Sequence, residues 1–394
     1  MNNKISYSPL PRKELGLIFF SAFLIRVAYL LIFPDQGFPD AVAYETSGKE
    51  IFSGNLITDD IYMPLYPILT YLLNSIGLKD FFEILISSIT TITIYILSYE
   101  IFSNEKSALI ASIISAVYPH FIFFSSSGLT ETIFIFFVIL YFIMLYRENF
   151  IVAIILMILS ILIKPTFDLF NPILLILFLV FHKRAVKDFW KYLPLYFVFY
   201  FIFMSPWWVH QYNKYDDFVR LTLSDGIILY TGNNPMNKSG GGITGIDVDF
   251  SKFDKITDPI QKNKAMKEEA IDFIFNNPKN FIELGFRKFL RFWRPWPYAK
   301  EYSGWHIIIV SISTYGTVLF FSLAFLKRYF FKFKSRIYPI MFSIAYLMTV
   351  HIVTISSIRY RLPIEPFLIV FASYFVSESV FFKKLLSFFR SFRI

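Results

Sequence analysis

The sequence predicts an all-α polytopic membrane protein with about ten membrane-spanning helices, and three observations support this fold class. Of the 394 residues, 56% are hydrophobic and only 17% are charged, whereas a soluble domain carries roughly 25% charged residues. Long apolar runs recur along the chain, close to the roughly 20 residues that a helix needs to cross a bilayer. Basic residues cluster at the ends of these runs, as is typical of membrane proteins.

Charge and cysteine content exclude several other classes of protein. The formal net charge is +9, but the charges lie mostly at the ends of apolar runs, so a membrane surface explains them better than nucleic acid does. The chain has no cysteine, which excludes disulfides, thiolate metal sites and a cysteine nucleophile. The first apolar run continues through Arg26 to Phe33 without a small-residue cleavage site, which predicts an uncleaved first span.

Ten candidate spans follow one another along the chain. They are 15–33, 80–101, 107–126, 129–146, 150–164, 165–182, 192–209, 304–326, 337–355 and 360–381. If the N-terminus is inside and the chain alternates, most basic residues of the short loops fall on the inner side, as the positive-inside rule requires. The short outer segments then hold only Lys49, Lys79, Lys164, Arg359 and Arg361. Arg26 lies near the middle of its span, where we expect a carboxylate partner.

The spans and loops predict three modules. An N-terminal transmembrane module, 1–209, contains a first outer loop at 34–79; an extracytoplasmic domain follows at 210–303, and C-terminal transmembrane helices complete the chain at 304–394. The amphipathic stretch Ala41–Phe52 and the Pro-bounded start at Pro64 predict juxtamembrane helices that lie on the bilayer.

The 210–303 segment is the only stretch that is long and polar enough to fold in water. Turn signals at Asn233–Pro235 and Gly240–Gly242 precede two helical patterns, which begin near Pro259 and Pro278. The spacing of Gly240, Gly242 and Gly245 matches a dinucleotide-binding pattern, but no strand precedes it. We therefore predict a flexible loop there.

Six polar side chains fall near the outer ends of their predicted spans, although they come from distant parts of the sequence. They are Asp40, Glu131, Lys164, His210, Arg359 and Arg361. Ionisable groups at membrane depth are costly and are functional candidates. Because alternating helices bring these ends to one face, the sequence predicts a single site there.

Two carboxylates are candidates for the chemistry of this site. Asp40 could act as a general base toward an acceptor hydroxyl, or it could simply cap the helix that follows it. Glu131 could orient an acceptor, bind a cation or share proton transfer with Asp40, or it could be a first-turn residue favoured by the helix dipole. Asp59 and Asp60 are rival carboxylates, for which a solvated loop is the better interpretation.

Three cations oppose the positive-inside trend. Lys164 and the pair Arg359 and Arg361 lie at the outer interface, where they suit a phosphate or pyrophosphate that arginine can grip with two hydrogen bonds. Snorkelling to lipid headgroups is the alternative. The histidines do not have the spacing of a zinc site.

The order of these features resembles a known family. Asp40 and Tyr44 follow a first span that contains an arginine, and Pro64–Pro67, Lys164–Pro165, Gly232–Pro235 and Arg359–Pro363 follow in turn. This set is similar to the GT-C class of membrane glycosyltransferases, in the dolichyl-phosphate-mannose protein mannosyltransferase superfamily, to which the lipid A aminoarabinose transferases are related. The resemblance covers nearly the whole chain, and only the ordered set of motifs is specific.

The resemblance implies a GT-C-like bundle, a polyprenyl-phosphate-linked sugar donor and an active site at the outer face. It implies that Asp40 is the catalytic carboxylate and that Lys164, Arg359 and Arg361 lie near the donor phosphate. Tyr44 and His210 are candidate substrate-binding residues, and Glu131 is a second catalytic candidate. Where the protein mannosyltransferases carry an adjacent acidic pair, this chain has Pro39, Asp40 and Ala41, which argues against a protein acceptor, although a lipid, a glycan and a protein all remain open.

These features together predict an inverting glycosyltransferase that needs no metal cofactor, in a prokaryotic inner membrane with its site facing the exterior. The expected partners are the lipid-linked donor, the acceptor and membrane lipids. One alternative is an outer-face glycan polymerase or ligase that uses polyprenyl-pyrophosphate oligosaccharides. A lipid-linked sugar flippase is another, but the nearly uniform apolar inner halves of most spans argue against it.

Overall fold

The computed structural model describes residues 11–34, 37–54, 61–181, 186–298 and 304–379. Within these ranges the regular structure is helical, apart from an isolated bridge between Thr244 and Val248. The predicted all-α class is therefore confirmed. Asp59, Asp60 and the basic residues beyond position 379 lie outside the described residues.

The described α-helices follow one another along the chain, with a long connection at 233–258. They are α1 (Arg12–Ile32), α2 (Pro39–Ser53), α3 (Leu65–Ser75), α4 (Lys79–Phe102), α5 (Glu105–Ala116), α6 (Pro119–Phe124), α7 (Glu131–Tyr146), α8 (Phe150–Ile163), α9 (Asn171–Phe181), α10 (Val186–Tyr215), α11 (Asp225–Gly232), α12 (Pro259–Asn276), α13 (Pro278–Trp293), α14 (Trp305–Ser311), α15 (Thr317–Val353), α16 (Ile358–Arg361) and α17 (Glu365–Glu378). A π-helical turn, Ile312–Gly316, joins α14 to α15.

Each of the ten predicted spans overlaps a helix within the described residues. By length and composition, four described helical stretches are able to cross a membrane: Arg12–Ile32, Lys79–Phe102, Lys191–Tyr215 and Trp305–Val353. The apolar helices α7 and α8 are shorter. The chain is thus an integral membrane protein, whereas the number of about ten spans and the three-module division stay predictions.

The long stretch Trp305–Val353 reverses direction. Tyr315 stacks on Arg361, with its ring centre 3.5 Å from the guanidinium carbon, and His351 stacks on the neighbouring Tyr360 at 4.5 Å. In a straight helix, Tyr315 and His351 would be about 54 Å apart. The stretch must therefore double back between them, in agreement with the predicted pair of spans 304–326 and 337–355.

The bundle has two ends, which we name after Glu131 and Arg147. Helices α4 and α7 both run from the Glu131 end to the Arg147 end, where Arg147 donates to Glu100 at 2.7 Å. Arg336 lies at the same end and donates to the carbonyls of Glu100 and Ile101 at 3.1 and 2.9 Å. Arg147 and Arg336, which the alternating topology predicts to be on the inner side, thus lie at the same end of the bundle.

Arg26 is buried in the bundle, and among the residues that the structure describes no carboxylate pairs with it, contrary to our expectation. It donates to Ser87 Oγ at 2.7 Å and to the carbonyls of Ala22 and Ala116, both at 3.0 Å. The carbonyls at the C-terminus of α5 are available because Pro119 interrupts the helix there. Helix C-termini carry unpaired, partly negative carbonyls, which satisfy a buried guanidinium in place of an acid.

The first outer loop forms the two predicted helices, α2 and α3, which cross at Gly48. A Cβ at this position would lie 2.0 Å from the carbonyl oxygen of Pro67 on α3. Only glycine permits this approach. The crossing holds α2 in place, and with it Asp40 and Tyr44.

Gly48→Ala is expected to push α2 away from α3 and to destabilise the protein by about 1–3 kcal/mol, because the clash is with backbone. Thermal unfolding in detergent measures this. Gly16→Ala on α1 is the matched control, since nothing lies within 4 Å of a Cβ there. Equal unfolding midpoints for both variants would contradict the role assigned to Gly48.

Candidate functional site

Four charged side chains from four helices meet at the Glu131 end of the bundle; we name Asp40, Glu131, Lys164 and Arg359 the four-charge cluster. Glu131 accepts from Lys164 Nζ at 2.9 Å and from Arg359 Nε at 2.6 Å. The Nη1 atom of the same arginine donates to Asp40. Two carboxylates and two cations therefore balance one another in the cluster.

Exposure differs sharply across the cluster. The side chain of Glu131 is 0% exposed, those of Lys164 and Arg359 are 17% and 20% exposed, and that of Asp40 is 40% exposed. Glu131 thus forms the floor and Asp40 the rim. A ligand entering from the surface meets Asp40 and the outer sides of the two cations first.

Each member of the cluster stands at a helix end. Glu131 is the first residue of α7, Lys164 ends α8 just before Pro165, and Arg359 lies in the single turn of α16, where Ser357 Oγ accepts from its backbone nitrogen at 3.1 Å. Asp40 is the second residue of α2, yet it does not cap that helix, because the N-cap is Phe38 and no side chain provides a capping bond. The helix-cap interpretation of Asp40 is therefore wrong.

Tyr44 joins the cluster from the next turn of α2. Its hydroxyl accepts from Arg359 Nη2 at 3.3 Å, and its ring contacts those of Tyr62 and Tyr66 at 4.4 and 4.9 Å. Burial raises the pKa of Tyr44 above that of a free tyrosine, so the hydroxyl stays protonated and can also donate. The tyrosines form an aromatic wall beside the charges.

A second polar layer lies behind α2, and the sequence analysis missed it. The buried Glu83 accepts from the Tyr66 hydroxyl at 2.7 Å and from the backbone nitrogen of Gly128 at 3.3 Å. A Cβ at Gly128, whose φ is +66°, would lie 2.8 Å from Lys79 Nζ and 2.9 Å from Ala41 Cβ. This layer therefore holds the start of α2 against the loop before α7. An acidic residue inside an apolar run was the signal that could have revealed Glu83.

Arg361 lies beside the cluster but faces away from it. Its side chain is fully buried, donates to Glu365 at 2.7 Å, and also donates to the carbonyls of Phe292 and Arg294 at 3.1 and 2.7 Å. Glu365 further contacts His120 Nδ1 at 2.9 Å. The two arginines point to opposite sides because residues two apart in a helical turn do not share a face.

The structure thus brings together Asp40, Tyr44, Glu131, Lys164 and Arg359. His210 lies on α10, where its ring stacks on Trp207 at 5.0 Å, and its role in substrate binding stays a prediction. Within the described ranges, no three histidine or acidic side chains are grouped so that they could hold a metal ion.

The glycine-rich segment of 210–303 is ordered by hydrogen bonds, and our prediction of a flexible loop was wrong. Asn237 Oδ1 accepts from the nitrogen of Gly240 at 2.8 Å, and Asp247 accepts from Ser239 Oγ at 2.7 Å and from the nitrogen of Ile243 at 3.0 Å. Short polar side chains next to glycines satisfy the backbone of a tight loop. The segment is a structural element of this domain.

Lys288 is buried where the 210–303 segment meets the end of α15. Its Nζ atom donates to Asn233 Oδ1 at 3.1 Å and to the carbonyl of Val353 at 3.3 Å. Asn233 Nδ2 donates to the same carbonyl at 2.8 Å. Burial lowers the pKa of Lys288 from 10.5 to about 7, because the charged form loses its hydration.

A helical membrane bundle with a charged site at one end defines the class of protein, and comparison with solved structures identifies its fold. The archaeal oligosaccharyltransferase AglB from Archaeoglobus fulgidus, in complex with an inhibitory peptide and a dolichol-phosphate, matches over 98% of this chain and 52% of its own, with a TM-score of 0.54 and 13% identity. The apo form of the Archaeoglobus fulgidus oligosaccharyltransferase matches over 97% and 51%, with a TM-score of 0.57 and 14% identity.

The chain therefore has the fold of GT-C enzymes, and the predicted resemblance is confirmed at that level. It spans about half the length of the oligosaccharyltransferase chains that it matches. No family model and no curated protein sequence matches it. The particular GT-C subfamily stays a prediction.

Glu131→Gln is expected to destabilise the protein by about 3–5 kcal/mol, since it leaves two largely buried cations undercompensated. Asp40→Asn removes a carboxylate at the rim and is expected to cost at most about 1 kcal/mol. Thermal unfolding of both variants in detergent compares them. If Asp40→Asn destabilised the protein as much as Glu131→Gln, the assignment of Glu131 as the buried and Asp40 as the exposed member of the cluster would be contradicted.

Lys288 is expected to make folding stability depend on pH. Between about pH 7 and pH 10.5 the unfolded chain binds a proton on Lys288 that the folded chain does not, so the contribution of this residue to stability rises with pH in that window. The unfolding midpoint of the wild type minus that of Lys288→Met should therefore be larger at pH 9.5 than at pH 7. Lys279→Met, at an exposed lysine on the same helix, is the control, and its unfolding midpoint should change with pH as that of the wild type does. If the midpoint of Lys288→Met also changed with pH as that of the wild type does, this expectation would be contradicted.

Proposed function

We propose that this chain is an integral membrane glycosyltransferase that moves a sugar from a polyprenyl-phosphate-linked donor to an acceptor at the Glu131 end of the bundle. The sequence predicts that this end is extracytoplasmic. The observation that carries the proposal is the pairing of a half-exposed carboxylate, Asp40, with two cations that a buried carboxylate holds in place. The GT-C fold supports it.

The donor phosphate is bound by Lys164 and Arg359 in this proposal. The side chains of both cations are partly exposed, at 17% and 20%, and both donate to the buried Glu131. A phosphate on Arg359 replaces Asp40 as the exposed partner of the guanidinium. Donor binding therefore releases the Asp40 carboxylate from its ion pair at the moment when a base is needed.

The proposed reaction is a single displacement. The acceptor oxygen forms a bond to the anomeric carbon while the bond from that carbon to the phosphate oxygen breaks, and the electron pair of the broken bond leaves on the lipid phosphate. Asp40 takes the acceptor proton as general base. Lys164 and Arg359 stabilise the charge that develops on the leaving phosphate. Attack opposite the leaving group inverts the anomeric centre.

Two predicted site residues receive revised roles in this proposal. Glu131, a candidate catalytic residue in the sequence, is covered by both cations, so it acts as a positioning residue and does not touch the acceptor. Arg361 would have to leave its ion pair with Glu365 to reach a phosphate. We therefore assign Arg361 to holding the turn that carries Arg359.

The charge balance of the cluster favours a monophosphate donor. The charges of the two cations and the two carboxylates cancel. When Asp40 leaves Arg359, a single donor phosphate takes its place as the anionic partner of this arginine. The oligosaccharyltransferase neighbours favour a second candidate, transfer of an oligosaccharide from a lipid carrier to a peptide or glycan. A pyrophosphate carrier would bring additional negative charge to the same two cations.

The proposed scheme requires no metal, because the fixed cations carry out the charge stabilisation that a divalent ion would otherwise supply. The acceptor is a lipid, a glycan or a protein, with the lipid or glycan favoured because Asp40 stands between Pro39 and Ala41 without an adjacent acidic residue. We place the protein in a prokaryotic inner membrane, with its site toward the exterior.

Asp40→Asn in membrane-inserted protein is expected to lower transfer from a polyprenyl-phosphate monosaccharide by about 10²–10⁴-fold, since it removes the general base. Release of the lipid phosphate from a panel of such donors measures the reaction. Glu45→Gln is the matched control, because Glu45 lies on the same helix and bonds to Asn74 outside the cluster. Full activity of Asp40→Asn would contradict the base assignment. Transfer from pyrophosphate-linked oligosaccharides alone would favour the second candidate.

A further inference from the structure

Helix α13 has three different faces, and one of them is apolar and exposed. Ile282, Phe286 and Leu290 follow one another at four-residue intervals, and each is more than half exposed. Phe289 borders them. This row, which we name the α13 apolar row, covers a sector of roughly 100°, the width of the apolar stripe of a helix that packs on an apolar phase.

The opposite faces of α13 are polar. Glu283 and Arg287 form an exposed ion pair at 2.6 Å on the second face. The third face is buried, although it carries Lys288 and Arg291, and Arg291 Nε donates to the carbonyl of Ser356 at 2.8 Å. The helix thus buries Lys288 and Arg291 together with Leu284 and Phe292, and leaves the four large apolar residues of the row uncovered. In a soluble domain, exposed apolar residues in one continuous row would be unusual.

The position of α13 relative to the membrane follows from its contacts with α15. A Cβ at Gly285 would lie 3.5 Å from the side chain of Ile352, and Trp293 Nε1 donates to Met348 Sδ at 3.4 Å. Ile352 and Met348 belong to the last turns of a stretch that is long and apolar enough to span the membrane. The C-terminal half of α13 therefore lies at membrane level.

We infer that α13 is an interfacial helix, with its apolar row seated among the lipids of the leaflet at the Glu131 end. Lipid is the occupant because α13 packs against the end of a membrane-spanning stretch, at Ile352 and Met348. The span that follows α13 in the chain also begins with exposed apolar residues, Trp305, Ile309 and Ile312, and a tryptophan at the start of a span is typical of the membrane interface. Packing against a membrane-spanning stretch favours the bilayer over a protein partner.

The helix is tilted into the leaflet. From Gly285 to Trp293 the axis of α13 advances about 12 Å, whereas the contacted residues Ile352 and Met348 are separated by about 6 Å along α15. Successive members of the apolar row therefore lie deeper toward the C-terminus. Leu290 is expected to be the deepest and Ile282 the shallowest.

Helix α13 contacts the α16 turn, which carries Arg359 of the four-charge cluster. The carbonyl of Phe292 on α13 accepts from Arg361 at 3.1 Å, two residues from Arg359. The Phe292 ring stacks on His351 at 6.3 Å, and His351 stacks on Tyr360 at 4.5 Å. The depth of α13 in the leaflet thus fixes the height of the α16 turn, whatever reaction the cluster performs.

Single-cysteine labelling tests the inference cleanly, because the chain contains no cysteine. Ile282→Cys, Phe286→Cys and Leu290→Cys report on the apolar row, and Glu283→Cys and Arg287→Cys are matched controls one residue away on the polar face. Each variant is spin-labelled in the full-length protein, reconstituted in vesicles of phosphatidylethanolamine and phosphatidylglycerol. Collision with oxygen, which concentrates in the lipid, is compared with collision with a water-soluble nickel chelate.

The expected result is an oxygen-to-nickel collision ratio severalfold higher at the three row positions than at the two controls, rising from 282 to 290. Equal access to nickel at all five positions would show that the row faces water and would overturn the inference. Low access to both reagents along the row would show that protein covers it, which overturns the inference as well. The readout does not depend on catalysis, so it is independent of the proposed function.

Discussion

The buried carboxylate of Glu131 is the constraint on which the rest of the site depends. Lys164 and Arg359 lie far apart in the sequence, and both donate to this one group. Without it, two cations at membrane depth would lack a counter-charge, which is costly in a medium of low polarity. With it, both cations are held in place, and their side chains remain partly exposed at the end of the bundle. Asp40 can then stand at the rim as a more exposed and exchangeable partner of Arg359.

Helix ends supply most of the polar chemistry of the protein. The cluster collects the first turns of α2 and α7, the end of α8 and the short turn α16. Arg26 is satisfied by the carbonyls that a proline frees at the end of α5, and Lys288 by the carbonyl near the end of α15. Helix interiors satisfy their own backbone groups, so only their ends offer unpaired donors and acceptors to buried charges. Buried polar residues in an apolar bundle therefore gather at the few heights along the bundle axis where helices end.

The 210–303 segment is joined to the bundle by polar groups that are themselves buried. Asn233 and Lys288 bind the carbonyl of Val353, and Arg361 binds the carbonyls that follow α13. The same α13 exposes an apolar row at membrane level. Helix α13 is bound to the protein on one side and contacts lipid on the other, so its depth in the membrane is fixed. The α16 turn, which α13 contacts, is fixed at the same depth. The site is thereby built at the boundary between membrane and water, where a lipid-linked substrate has its headgroup.

The sequence by itself determined the helical membrane class, the approximate positions of the long apolar helices that the structure describes, and the placement of Asp40, Glu131, Lys164 and Arg359 near one end of the bundle. Hydrophobic length and the cost of charge in lipid are local properties, and they are readable without coordinates. Only the tertiary structure decided that Arg361 turns to Glu365, that Glu83 braces the start of α2, and that the glycine-rich segment is ordered. Side-chain direction and partners depend on contacts between residues far apart in the chain, and hydropathy carries no information about them.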